Sequence, residues 1–315
     1  MRAVLIALTD ELRRLKASGV KTIPVSEDSL GTLRRLVAEE QAAARPAPSA
    51  VTGPPASEPP VSETRPAESR MAVSTLREPA NAAPRLLPPP PEVVLPAGDK
   101  AVRWQALRDL VLQHPVCRAQ VRPGKNVVFG VGNLDARILF VGEAPGAEEE
   151  QQGEPFIGPA GQLLTRMIKA MGLERSDVYI GNIMNWRPAL TPRADGTQVG
   201  NREPTLEEIA FCLPFIAAQI DVVSPAIVVA LGATAARGLL GPHNVRTMGD
   251  VRGRWHDYRG RPLRVTYHPS YLLRKEADGK VAEQRAKRAA WEDFLSVMER
   301  ALLPITEKQR NYFLQ

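Results

Sequence analysis

The stretch "ARILFVGEAPGAEEEQQGEPFIGPAGQLL" (136–164) decides the fold. Arg137–Val141 is a short apolar run of the kind that forms a strand buried on both faces. Gly161–Met171 follows with Leu164, Met167, Ile168 and Met171 on one helical face. A strand, a glycine-bearing loop and a helix in that order make the first half of a βαβ unit. The loop is not a phosphate cradle of the usual kinds. It matches neither the Gly-Lys-Ser/Thr pattern nor GxGxxG, and Pro145 lacks a backbone donor. Glu143, Glu148, Glu149, Glu150 and Glu154 would also repel a phosphate.

The alternation continues along the chain. Val102–Gln113 precedes the stretch as an amphipathic helix. "DVYIGNIM" (177–184), "AIVVALG" (226–232) and "PLRVTYH" (262–268) are three more strands. Pro204–Ile220, Ala233–Leu240 and Arg285–Leu303 are helices, and Pro204 with Glu207 and Glu208 marks a helix start. The expected fold is α/β: three layers, α/β/α, around a four-stranded, mainly parallel sheet. Ligands of such sheets bind at the carboxyl ends of the strands. That rule singles out Gly142 onward, Asn182–Trp186 and His268 onward.

The N-terminal third reads differently. No aromatic residue occurs before Trp104. Residues 1–44 hold two helix-like pieces, Val4–Ala17 and Ser29–Ala43, too little for a core of their own. Residues 45–100 are a Pro/Ala-rich linker, including "LPPPPE" (87–92), expected to be disordered. The packed domain is expected over 101–303, with a tail at 304–315. Of the net charge of +6, residues 246–288 hold 12 Lys/Arg against 5 Asp/Glu. A basic stretch of this kind suits a polyanion. There is no convincing signal peptide and no apolar run long enough to span a bilayer, so the protein is expected to be cytoplasmic and to have no membrane partner. Cys117 and Cys212 are the only cysteines and form no complete metal motif.

Taken together, "GEAPGAEEEQQGEPFIGPAGQLL", "YIGNIMNWRP", "REPTLEEIAFCLPFIAAQI", "IVVALGATAARGLL" and "HPSYLLR" resemble the family 4 uracil-DNA glycosylases of the uracil-glycosylase superfamily, in order over about 105–300. The resemblance implies hydrolysis of the N-glycosidic bond of deoxyuridine in DNA after the base is flipped from the stack. The alternative is a non-catalytic DNA-binding protein on the same scaffold. Carried over position by position, the resemblance gives Phe156 as the ring that stacks on uracil. Asn182 reads the uracil edge, and His268 donates to O2 as charge grows there. Glu143 stands beside the base, and Glu149 positions water or stabilises the sugar cation. Gly142, Ala144 and Ser270 line the base site. Ala144 stands where the best-known superfamily members have a water-activating Asp, which implies a strongly dissociative reaction. Tyr271, Leu272 and Arg274 are expected against the DNA, with Tyr271 or Leu272 as a wedge. The expected partner is uracil-containing DNA, the chain is expected to be a monomer, and the N-terminal segment is left open as a tether for a protein partner that nothing in the sequence identifies.

The family usually binds a 4Fe–4S cluster through four cysteines. Here Cys117 and Cys212 match two of them, while His114 and Trp186 stand at the other two positions. Such clusters normally take four thiolates, so no cofactor is expected. Glu148, Glu150 and Glu154 are expected to be solvated, and "PALTPRADGTQVGN" (188–201) is an insertion beside the Asn182 pocket.

Overall fold

The computed structural model describes residues 87–190, 198 and 200–314. The two N-terminal helices and most of the linker and insertion expected from the sequence lie outside the described residues. Helices α1 (Lys100–Gln113) and α2 (Pro115–Gln120) lead into the sheet. Asp99 caps α1 by accepting from Val102 N at 2.9 Å. The strands are β1 (Val131–Gly132), β2 (Ile138–Gly142), β3 (Tyr179–Asn182), β4 (Ile227–Leu231), β5 (Trp255–Tyr258) and β6 (Arg261–Thr266). Between and after them run α3 (Ala147–Gln152), α4 (Pro159–Ala170), α5 (Leu206–Val223), α6 (Ala233–Leu240), α7 (Met248–Val251), α8 (Pro269–Lys275), α9 (Lys280–Arg300) and α10 (Glu307–Arg310).

The sheet order is β1-β3-β2-β4-β6-β5. The four inner strands are parallel, as expected, and β1 and β5 add an antiparallel strand at each edge. Alternation along β2 divides the core. Leu139 and Val141 pack on one face with Ile216, Ile220 and Leu263. Ile138 and Phe140 pack on the other with Leu164, Ile168 and Phe294. A third cluster joins α1, α2 and α5 through Leu107, Val111, Cys117, Phe211 and Phe215, with Trp186 among them.

Packing reaches past the expected domain ends. Leu87, Val93 and Leu95 lie against the third cluster, although the sequence assigns them to a linker. At the other end, Trp291 Nε1 donates to Gln309 O at 2.6 Å and Gln309 Nε2 donates to Ala170 O at 2.8 Å, so the residues after 303 also belong to the packed body.

Candidate active site

The registers of β2, β3, β4 and β6 bring their carboxyl ends to one side of the sheet. There a pocket of about 660 Å³ opens, lined by Glu143, Ala144, Phe156, Asn182, Thr234, His268, Ser270, Tyr271 and Arg274 among others. Gly142 is paired directly with Asn182 across β2 and β3. A methyl group on Gly142 would stand 2.4 Å from Asn182 Oδ1 and 2.4 Å from Phe156 Cζ, so only glycine lets the strand pass beneath both groups.

Asn182 is buried, and its Oδ1 has no hydrogen-bond partner. A buried amide oxygen left unpaired is costly, about 1–3 kcal/mol, and an orphan at the wall of a cavity points to a ligand that completes it. Phe156 is also buried, with φ of 55°. That left-handed conformation costs an ordinary side chain roughly 1–3 kcal/mol. It is held by α4, whose Gly161 packs so closely that a Cβ there would fall 1.9 Å from the Phe156 carbonyl. The Phe156 ring lies 5.6 Å from the His268 ring.

His268 is the N-cap of α8. Its Nδ1 accepts from Ser270 N at 3.1 Å. Ser270 Oγ lies 2.8 Å from the same nitrogen and accepts from Arg274 Nη1 at 3.2 Å. A backbone N–H can only donate, so Nδ1 carries the lone pair and the ring proton sits on Nε2. Enclosure in the pocket, reinforced by the Arg274 charge, lowers the pKa to about 4. The site therefore presents a neutral imidazole with one N–H available at Nε2.

Glu143 lies half-buried opposite. Thr234 Oγ1, at the start of α6, donates to its Oε2 at 2.5 Å, and Glu203 and Arg237 continue that cluster. Burial raises the Glu143 pKa, and the Thr234 hydrogen bond opposes the rise. Glu149 has a different environment. Its Oε2 accepts from Gly146 N at 3.0 Å, and its Oε1 accepts from Ile157 N at 3.0 Å and Gly158 N at 2.9 Å. Its carboxylate fixes the two ends of the 146–158 loop, and with them the position of Phe156.

Two expectations are corrected here. Glu150 is buried rather than solvated. It binds Arg187 Nη1 at 2.8 Å and also Arg122, because the turn of α3 points it inward at a guanidinium remote in sequence. Leu272 is buried in a cluster with Leu163, Ala286 and Ala290, so it belongs to the core rather than to the DNA face. Tyr271, beside it, lines the pocket and packs against Tyr267, with ring centroids 4.6 Å apart and the planes tilted by 31°. Arg274 is exposed at the rim.

The basic stretch 246–288 is less available than its composition implies. Asp293 holds Arg252 and Arg264, Asp221 holds Arg259 and Arg261, and Glu276 and Glu283 hold Lys287. Sequence reasoning also missed Thr234 and Glu203. Their only signal was position, one just after β4 and the other two residues past the insertion. Arg187 ties that insertion down by donating to Asn201 Oδ1 at 2.8 Å and to Gly200 O at 2.7 Å.

A family model described as the uracil DNA glycosylase superfamily matches residues 129–295, the span that contains every pocket element named above. The chain belongs to this superfamily. It is 46% identical over 154 residues to a type-4 uracil-DNA glycosylase of Thermotoga maritima, covering 49% of this chain and 74% of that one. It is 37% identical over 177 residues to a type-4 uracil-DNA glycosylase of Archaeoglobus fulgidus, covering 54% of this chain and 84% of that one. Similarity to a type-5 uracil-DNA glycosylase of Pyrobaculum aerophilum is lower, 29% over 156 residues, covering 45% and 64%.

The superfamily's cluster-bearing branch puts a question to the third core cluster. Cys117 and Cys212 are both buried there. Desolvation pushes the Cys117 thiol up to about 12 and the Cys212 thiol well above its ordinary value. His114 Nδ1 accepts from Val116 N at 3.3 Å, and its ring lies edge-on to Phe211 and Phe215, 5.5 Å from each. Trp186 is buried 6.0 Å from Phe211, with its Nε1 unpaired. Among the described residues, no group of three or more His, Cys, Asp or Glu side chains is placed to hold a metal ion. These residues do not fit a four-thiolate cluster.

Proposed function

We infer that the pocket at the carboxyl end of the sheet is the uracil site of a uracil-DNA glycosylase. The protein hydrolyses the N-glycosidic bond of deoxyuridine in DNA, releases uracil and leaves an abasic site. The observation that carries this reading is the convergence of an unpaired Asn182 amide oxygen, a Phe156 held in a left-handed backbone conformation and a neutral His268 with a free Nε2–H in one pocket.

The chemistry follows from those groups. A base inside a duplex is out of reach, so the nucleotide must be extruded, at a cost of a few kcal/mol. Phe156 receives the flipped base face to face. Asn182 discriminates uracil because an amide donates and accepts together, matching O4 and N3–H. The bond from N1 to C1′ then breaks, its electron pair leaving with the base. Negative charge builds on uracil O2, where the Nε2–H of His268 meets it. A preorganised donor of this kind is worth about 2.7–4 kcal/mol in the transition state. The cationic sugar left behind is met by the Glu143 carboxylate, aided by the fixed charge of Glu149 nearby. Water adds to C1′ and loses a proton, which the uracil anion takes up, so the products are uracil and the sugar hemiacetal. Gly142, Ala144 and Ser270 shape the base site, and Tyr271 and Arg274 contact the strand around the gap. Asn182→Ala and His268→Ala are the test: each is expected to abolish most excision of uracil from an oligonucleotide while circular dichroism stays unchanged. Wild-type turnover in either variant removes that residue from the mechanism.

The third core cluster is read as an aromatic core that does the structural work of the family's iron–sulfur centre, with Trp186 in the place of a ligand. The chain is read as a cytoplasmic monomer. No described helix is long and apolar enough to cross a membrane.

A further inference from the structure

A second cleft, of about 710 Å³, lies outside the base pocket. Its walls are Arg108 of α1, Arg118 of α2, Arg122 and Lys125 of the following loop, and Glu154 beyond α3. It opens near the same end of the sheet as the base pocket. Val128 N, on a residue adjoining the cleft, donates to Asn185 O at 2.8 Å, just past the end of β3 where Asn182 sits. The segment from Glu149 to Phe156 separates the two cavities, with Glu149 and Phe156 facing one and Gln152 to Glu154 facing the other.

The cleft carries four cationic side chains against one lining carboxylate. Nearby acids do not cancel them. Glu150 is a single charge shared by Arg122 and Arg187. Lys125 meets the neutral Gln151 amide. Arg108 and Arg118 make no ion pair among the described residues, unlike most cations of the 246–288 stretch. Uncancelled guanidinium groups on helices fixed by the core form a preorganised anion site.

We propose that this cleft binds the phosphodiester backbone of the substrate DNA on the β1 side of the flipped nucleotide, so that the DNA track extends from Arg274 across the base pocket to Arg108 and Arg118. The proposal rests on the reading of the pocket as a uracil site, and its test is read separately from excision. The full chain and its Arg108→Glu/Arg118→Glu variant are titrated with two uracil-containing oligonucleotides. One extends well beyond the uracil on both sides; the other covers only the immediate neighbours. Binding is followed by fluorescence anisotropy over a range of salt, with single-turnover excision measured in parallel.

For the long oligonucleotide, the variant is expected to bind roughly tenfold more weakly. Its slope of log affinity against log salt should shrink by about 1.4–1.8, the value for two lost phosphate contacts. For the short one, affinity and saturated excision rate should match the unsubstituted protein. Arg108→Ala/Arg118→Ala should show the same pattern more weakly, which separates lost contacts from introduced repulsion. Unchanged affinity and salt slope on the long oligonucleotide overturn the proposal. So does loss of inorganic phosphate binding in the variant with DNA binding intact, which would assign the cleft to a small anion. Failure of the unsubstituted protein to excise uracil from either oligonucleotide would strike the base-pocket reading instead, with the binding arm still deciding the cleft.

Discussion

Two regions meet just beyond β3, and they treat polar side chains in opposite ways. Asn182, at the strand end, is buried with an amide oxygen that nothing in the protein satisfies, beside a His268 whose Nε2 proton faces a cavity. A few residues on, Trp186 enters a core where Cys117, Cys212 and His114 are packed among Phe211 and Phe215. Both regions hold residue types that carry chemistry. In the first, hydrogen-bonding capacity is kept free at the wall of a cavity. In the second, it is enclosed by apolar side chains, and burial keeps the thiols protonated. Chemistry belongs where leftover capacity borders a cavity that a ligand can enter, as at Asn182; Trp186 Nε1 is unpaired too, but it is packed among apolar side chains.

The largest effect that would break this contrast lies in the pocket. His268→Ala and Asn182→Ala should each lower single-turnover excision by ~10²–10³-fold, the usual loss for one transition-state donor, with the urea midpoint nearly unchanged. On the other side of the contrast, Trp186→Ala should cost about 3–5 kcal/mol of stability in urea unfolding, since a large buried ring leaves a cavity. Excision per folded molecule should survive it. A large loss of catalysis at unchanged stability would show that the aromatic core reports to the active site. Between Tyr271 and Leu272, the two positions should separate cleanly. Leu272→Ala should lose about 2–5 kcal/mol of stability, while Tyr271→Ala should keep its fold and lose several-fold in excision on duplex DNA but little on single strands.

The pH profile sharpens the account of His268. Its folded pKa of about 4 is below the ordinary 6.5, so the neutral imidazole persists at all pH values above about 4. As pH falls from 6.5 toward 4, the unfolded chain takes up a proton that the folded one does not, and stability declines over that window. Catalysis should show no His268 titration near neutrality. Its acid limb should come from Glu143, whose pKa is raised by burial, and Glu143→Gln should remove that limb. A rate that fell as pH rose through 6.5 would mean that a protonated imidazole is needed. The smallest effect is expected from Cys117→Ala, which should leave kcat/KM within about twofold, because a buried protonated thiol acts as a small apolar group.

Much of this was legible in the chain. Four apolar runs alternating with helices gave the parallel sheet, and the rule that ligands gather at strand carboxyl ends led to Gly142, Asn182 and His268. What was not legible depended on partners far away in sequence. The edge strands β1 and β5 are short and lack a fully buried run, so they carry no periodic signal. Glu149 and Glu150 are identical neighbours in sequence. Only the fold turns one onto the loop amides and the other onto Arg187. The dense basic stretch misled for the same reason, since Asp221 and Asp293 consume much of it. The sparser Arg108 and Arg118 carry no sequence signal of their own, although they line a cleft with four cationic side chains and one carboxylate.

The central claim is that uracil excision resides in the pocket between Asn182 and His268 and needs no iron–sulfur cluster. The most direct test is uracil release from a uracil-containing oligonucleotide, measured per mole of protein across preparations whose iron content is determined on the same samples. The account predicts release at one specific activity in iron-free protein, unchanged by growth with added iron, and lost in His268→Ala. Specific activity that rose in proportion to bound iron, in brown preparations with about four irons per chain as a cubane cluster requires, would contradict it.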